Sequence, residues 1–149
     1  MAAVMHETVP TKLLEVNGIR YAYRRYGNSK DTVPLVCLQC FRGTTDYSDL
    51  SLTSRLEDGR EIILLDSLRI GRSGGITPDN VAEMACHAVA IIDALGFQKV
   101  DLFGVSLGGL VVQQIAFDWP SLVRYLILRG TLSKRYMTTY ARRGWQSGC

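Results

Sequence analysis

The chain has 149 residues, 47% of them apolar and 21% charged, which suits one domain with a buried core and argues against a disordered polymer. Its formal net charge of +3 belongs to the end of the chain, where Thr131 to Cys149 holds Lys134, Arg135, Arg142 and Arg143 and no acid, so the charge says little about what a cleft in the body binds. No run reaches the roughly 18 apolar residues of a membrane span, and the first ten residues lack the basic region and apolar run of a secretory signal, so a cytoplasmic protein is expected.

In chain order, residues 1–12 read as a leader. Leu13 to Tyr26 is two short alternating segments around Asn17-Gly18, the favoured two-residue hairpin turn. After a polar loop, Val33 to Gln39 is a continuous apolar run of strand length, the pattern of a strand covered on both faces. Thr45 to Leu56 reads as a short helix closed by Asp58-Gly59, and Glu61 to Asp66 as a second buried strand. Thr77-Pro78-Asp79 opens the longest helix with a cap residue, a proline in the first turn and an acid. Its inner stripe runs through Ala85, Ala88, Val89 and Ile92, and Gly96 ends it. Val100–Val105 is a third buried strand, Leu107–Asp118 a third helix and Val123–Leu128 a fourth strand. This alternation after a hairpin predicts an α/β fold, a mostly parallel sheet with helices on both faces. Residues 13–130 make up the domain and residues 131–149 a basic, loosely ordered tail.

Chemistry concentrates where the third buried strand becomes a helix. Gly104-Val105-Ser106-Leu107-Gly108 has the spacing of a nucleophile elbow, a turn so tight that the positions two before and two after the serine want no side chain. Ser106 would then stand proud of the sheet edge as the catalytic nucleophile. The backbone N–H groups of the following helix face the place where an oxyanion forms.

From Val16 to Thr131 the chain resembles the first half of the α/β-hydrolase superfamily, a group of esterases, lactonases and C–C hydrolases. The resemblance implies a fold incomplete after strand six. In such enzymes a His-Gly-x loop after the third strand supplies one oxyanion N–H. Here that run is Gln39-Cys40-Phe41, followed by Arg42-Gly43, which implies Phe41 and Leu107 as the two backbone donors. The family's Asp-x-x-Gly-x-Gly-x-Ser reads here as Asp66-Ser67-Leu68-Arg69-Ile70-Gly71-Arg72-Ser73, with Arg69 in place of the first glycine, and an altered local geometry is expected. The family's acid and histidine follow later strands in the order Ser, Asp, His. No Asp or Glu follows Asp118 and no histidine follows His87. His87 lies mid-helix, where a structural or solvent-facing role is expected, on a helix that packs across the sheet rather than over Ser106. His6 lies in the leader.

The resemblance implies a serine hydrolase acting on a small, apolar, ester-like molecule. The alternative is a truncated, non-catalytic homologue that binds a small ligand or a partner chain. Two copies are expected to pair through the 123–128 edge, guarded only by Arg124 and Arg129. No cofactor and no metal is expected, and four tail charges with one or two aromatics support a nucleic-acid partner only weakly. Cys37, Cys40, Cys86 and Cys149 read as free thiols.

Overall fold

The structure, a computed structural model, describes residues 8–27, 32–47 and 59–133. β1 (Lys12–Val16) and β2 (Ile19–Tyr26) form an antiparallel hairpin. Asn17 and Gly18 at its turn have φ of 52° and 76°, the paired positive values that a two-residue primed turn requires and that Asn and Gly reach at least cost.

Four further strands follow: β3 (Leu35–Leu38), β4 (Ile62–Leu65), β5 (Val100–Val105) and β6 (Val123–Arg129). Helix α1 (Val81–Ala94) joins β4 to β5, and α2 (Leu107–Asp118) joins β5 to β6. The sheet order is β1-β2-β4-β3-β5-β6, with β4, β3, β5 and β6 mutually parallel and β2 antiparallel to β4. Every residue of β3 and β4 is buried, which explains why these strands read as continuous apolar runs rather than alternating ones. The chain steps from β3 to β4 in one direction and from β4 over β3 to β5 and β6 in the other. The adjacent carboxyl ends of β3 and β5 therefore flank a switch point, the usual place for a ligand in an open α/β sheet.

Alternate strand residues feed two cores. Val36, Leu38, Ile63, Leu65 and Leu102 pack with Ala88 and Ile92 of α1 and with Val112 and Ile115 of α2. On the opposite face Leu35, Cys37, Ile62, Leu64 and Phe103 form a smaller cluster, against which Val9 packs. Both described helices thus lie on one face. Of the helix expected over Thr45–Leu56, the described part is a 3-10 turn, Thr45–Tyr47; the rest lies outside the described residues, as do His6, Cys149 and the tail from residue 134.

Two local expectations change. Helix α1 starts later than Thr77-Pro78: its cap is Asn80, extended at φ −141° and ψ 157°, whose side chain accepts from the Glu83 N–H at 2.8 Å. An amide at the cap satisfies one of the N–H groups that a helix start leaves without an internal partner. Cys86 is disulfide-bonded, not a free thiol, since its half-buried position on α1 leaves the sulfur reachable. Cys37 and Cys40 are free.

At the amino end of β5, Asp101 is almost fully buried and binds Arg60 and, at 2.7 and 2.9 Å, Arg124, while also accepting from the Tyr125 N–H. This cluster ties the β3–β5–β6 side of the sheet together away from the switch point. Strand β6 pairs only with β5 among the described residues, and Tyr125, Leu126, Ile127 and Leu128 are all exposed.

Candidate active site

Ser106 lies between β5 and α2 at φ 53° and ψ −116°, backbone territory that costs a non-glycine residue about 1–3 kcal/mol. The strain follows from a strand running straight into a helix with one residue to turn. A Cβ on Gly104 would come within 2.5 Å of the Gly108 carbonyl oxygen and 2.6 Å of the Gly109 Cα. One on Gly108 would meet the Leu38 and Gln39 carbonyl oxygens at 2.3 and 2.6 Å. Contacts this short with backbone atoms leave room only for hydrogen, so both elbow glycines are required sterically.

The serine is exposed and its side chain makes no capping hydrogen bond to the helix it precedes, so the hydroxyl is left for other work. Its backbone is fixed from β6: the Ser106 N–H donates to the Arg129 carbonyl at 3.1 Å, and the Thr131 hydroxyl donates to the Ser106 carbonyl at 2.7 Å. Thr131 also fills the space beside Gly109, where a Cβ would approach it within 2.5 Å. The amino-terminal N–H groups of α2, Leu107 first, lack internal helix partners and form a positive end beside Ser106.

Opposite lies the turn Cys40–Gly43, closed by the Gly43 N–H donating to the Cys40 carbonyl at 2.9 Å. Arg42 takes the left-handed position of this turn at φ 61°. Phe41, in the same turn, is exposed, and it shares the wall of one cavity of about 70 Å³ with Arg42, Leu107, Gly108 and Val111. Ser106 itself is outside that wall and stands beside it next to Leu107.

The third loop at this edge, residues 66–75, is organised by the Asp66 carboxylate, which accepts the Thr45 N–H at 2.6 Å and the Arg72 N–H at 3.4 Å. Burial raises the Asp66 carboxyl, with these backbone N–H groups pulling the other way. The Ser73 hydroxyl donates to the Asp66 carbonyl and accepts the Ala22 N–H, each at 2.9 Å, pinning the loop to β2. Gly71 is required here, because a Cβ would lie 2.3 Å from Asp66 Oδ2. The altered geometry expected at Arg69 is not found: Arg69 adopts φ 57°, the left-handed conformation glycine favours, held by its N–H to the Gly74 carbonyl at 3.0 Å. Closure of the loop through Gly74 outweighs the local preference of an arginine.

His87 departs from its expected position. It lines the same cavity as Phe41 and Leu107, because α1 packs against α2 beneath the switch point. Its Nδ1 lies 2.7 Å from the buried Tyr21 hydroxyl and its Nε2 lies 3.9 Å from Glu83. With the phenol as donor, Nδ1 is an acceptor and Nε2 carries the proton. The structural role expected of this histidine fits that bond. Its place on the same cavity wall as Phe41 and Leu107 had no signal in the helix period, since which helices neighbour each other depends on strand order. Among the described residues no histidine–carboxylate pair is hydrogen-bonded to Ser106.

Residues 33–147 match the family model described as alpha/beta hydrolase fold. The chain is 33% identical over 127 residues to proline iminopeptidase PfmaB of Pestalotiopsis fici, covering 80% of this chain and 43% of that protein. It is 30% identical over 111 residues to RutD of Agrobacterium fabrum, covering 73% of this chain and 42% of that one. Among solved structures it is similar to an alpha/beta hydrolase fold protein from Chitinophaga pinensis, at a TM-score of 0.80 and 46% identity, covering 83% of this chain and 44% of the other. The chain thus spans less than half the length of these relatives. The strained serine between a parallel strand and a helix, the required glycines on either side of it and this match over most of the chain converge on one statement: the chain belongs to the alpha/beta hydrolase fold family.

Proposed function

We propose that Ser106 is the nucleophile of a serine hydrolase acting on ester-like bonds of small, largely apolar molecules, with the Phe41 and Leu107 N–H groups receiving the oxyanion. The observation that carries this reading is the conformation of Ser106 itself. A serine held at φ 53° by Arg129 and Thr131, exposed, with no cap bond from its hydroxyl and a helix start beside it, presents that hydroxyl to a ligand, and the strained turn that does so supports a nucleophile. In the reaction the hydroxyl oxygen would attack the carbonyl carbon as its proton goes to a base, and the carbonyl oxygen takes up the charge that the two N–H groups stabilise; the ester C–O bond then breaks, the alcohol leaves with that proton, and water attacks the acyl-serine to release the acid and restore the hydroxyl. No cofactor or metal enters this reading. A cytoplasmic setting belongs to it on the free thiols Cys37 and Cys40, with the Cys86 disulfide pulling the other way; no described helix is long and apolar enough to cross a membrane.

The base and its orienting acid are not supplied by a described histidine–carboxylate pair at Ser106, so the residues at hand are expected to turn over slowly. As a scale, subtilisin stripped of its triad keeps about 10³–10⁴ over water, while loss of its serine or histidine costs about 10⁶ in turnover. The test is p-nitrophenyl acetate and butyrate hydrolysis by wild type, S106A and H6A. Turnover of about 1 s⁻¹ or more that S106A abolishes supports the nucleophile, and parallel loss in H6A assigns the base to the leader. Comparable turnover that survives S106A overturns the assignment.

The second reading, a non-catalytic homologue that binds a partner chain, rests on β6. Leu126, Ile127 and Leu128 are 37%, 41% and 43% exposed on an edge strand, the kind of surface soluble proteins cover or block. Pairing of two copies through this edge is the form it would take. A stable monomer on sedimentation at micromolar concentration counts against it.

A further inference from the structure

We infer that the site selects substrates bearing a carboxylate, and that Arg42 and Arg69 are the residues that recognise it. This rests on the hydrolase reading for what the site does, but its own content is a binding preference. Three arginines, Arg42, Arg69 and Arg72, stand on the two loops that frame the cavity, all exposed and none in an ion pair among the described residues. Arg42 is on the cavity wall and directly follows Phe41, the proposed oxyanion donor. Arg69 sits between Leu68 and Ile70, both on that wall, and the Arg72 N–H binds Asp66, which is also on it.

The described acids nearby do not neutralise this rim. Asp46 is taken by Arg24. Asp66 is buried, its carboxylate occupied by the Thr45 and Arg72 N–H groups. Asp79 and Glu83 belong to the approach to α1 and its first turn, where Asp79 accepts from the Asn80 side chain and Glu83 faces His87. A second observation singles out two of the three arginines. Among the described residues four non-glycine residues have positive φ; one is the hairpin Asn17, and the other three are Arg42, Arg69 and Ser106, one on each loop following β3, β4 and β5. Left-handed backbone costs an arginine roughly 1 kcal/mol that glycine does not incur. Strain of this kind clusters where a side chain has work to do, and here it falls on the proposed nucleophile and on two guanidiniums that make no ion pair among the described residues, at the same edge of the sheet.

The cavity's volume of about 70 Å³ is about half that of the roughly 150 Å³ cavity in T4 lysozyme that accepts benzene, so the apolar part it receives is short. The ligand is then a short acyl ester ending in a carboxylate, its apolar stem against Val111 and Phe41 and its anion in the arginine rim. Guanidinium–carboxylate pairing supplies charge-assisted hydrogen bonds.

The experiment is calorimetric titration of monoethyl succinate and diethyl succinate into wild type, the R42G/R69G double variant, R42K and S106A. Glycine suits both left-handed positions, so R42G/R69G removes charge without adding strain, and R42K keeps the charge. Wild type is expected to bind the monoester at least about tenfold more tightly than the diester, the effect of one charge-assisted hydrogen bond. That ratio falls toward one in R42G/R69G, is partly kept in R42K, is unchanged in S106A, and narrows as salt rises from about 0.1 M to about 1 M. Equal affinity for the two esters, a preference that survives R42G/R69G, or no measurable binding of the monoester at about 10 mM overturns the inference. A preserved preference in a protein whose turnover of about 1 s⁻¹ or more survives S106A defeats the hydrolase reading alone, and Ser106-dependent turnover without any preference defeats this one alone.

Discussion

Replacing Gly108 by alanine tests the seating of α2 on the end of β3, on which the whole site depends. The new methyl would lie 2.3 Å from the Leu38 carbonyl oxygen, 2.6 Å from the Leu38 carbonyl carbon and 2.6 Å from the Gln39 oxygen. All three are backbone atoms with no rotamer to yield, so the helix start and the strand end must separate by nearly 1 Å to restore ordinary contact. Overpacking of this kind costs about 1–3 kcal/mol, and the gain of alanine over glycine in the unfolded chain offsets only about 0.4–1 kcal/mol of it. In a chain of 149 residues, a net loss of about 1–2 kcal/mol lowers Tm by about 2–8 °C. The control is Gly74→Ala, where the added carbon finds its nearest neighbours, both on Arg20, at 3.6 and 3.9 Å, ordinary contact. That variant is expected to match wild type or exceed it slightly. Thermal unfolding followed by far-ultraviolet circular dichroism compares the three proteins. The same shift moves the Gln39–Phe41 turn against Leu107, so any Ser106-dependent turnover should fall by up to about 100-fold, the cost of a 1 Å misplacement. If G108A is as stable as G74A, α2 is not seated on β3 as described and the proposed oxyanion site falls with it.

Two further outcomes follow from buried groups. Burial pushes the Asp101 carboxyl up, but hydrogen bonds from Arg124 and Arg60 outweigh it and hold the group below the ordinary carboxylate range. Its contribution is therefore fully present above the unfolded pKa of about 3.9 and is lost as pH falls through the lower folded value. D101N should cost about 1–3 kcal/mol at pH 7 by urea unfolding, with the gap to wild type closing below about pH 4; a gap independent of pH refutes the ion cluster. For the thiols, burial pushes Cys37 up to about 12, with Arg60 lowering it slightly, so only about one molecule in 10⁴ is thiolate at pH 8. Iodoacetamide followed by peptide mass mapping should find exposed Cys40 modified in the native protein and Cys37 only after unfolding; equal rates would contradict the buried β3.

The elbow was readable from the sequence because its demands are local. Two glycines around Ser106, an apolar strand before and a helical period after specify one turn, and the positive φ of Ser106 is where that turn has to put it. The Asn17-Gly18 hairpin was readable for the same reason. The start of α1 was not, because Thr77-Pro78-Asp79 and Asn80 are both competent beginnings. The choice fell to Asn80, which is extended and reaches the Glu83 N–H. Arg69 misled in the opposite direction: an arginine locally disfavours left-handed backbone, yet it adopts that conformation with its N–H bonded to the Gly74 carbonyl across the loop.

By itself the sequence determined the types and limits of most elements, the parallel character of the sheet and the serine around which a site would form, since periodicity, turn residues and steric exclusion act over a few neighbouring positions. The tertiary structure decided what those elements meet. Strand order placed β3 beside β5, which brought the Phe41 turn to the helix start at Leu107. The packing of α1 on α2 carried His87 to the same cavity wall as Phe41, and the end of β6 brought Thr131 back onto the Ser106 carbonyl. The hydrogen bonds and strand pairs among these contacts join residues 25 to 66 positions apart, and no pattern within a strand or helix encodes which distant surface will bury it. That choice belongs to the shared core, where all the elements exclude water together.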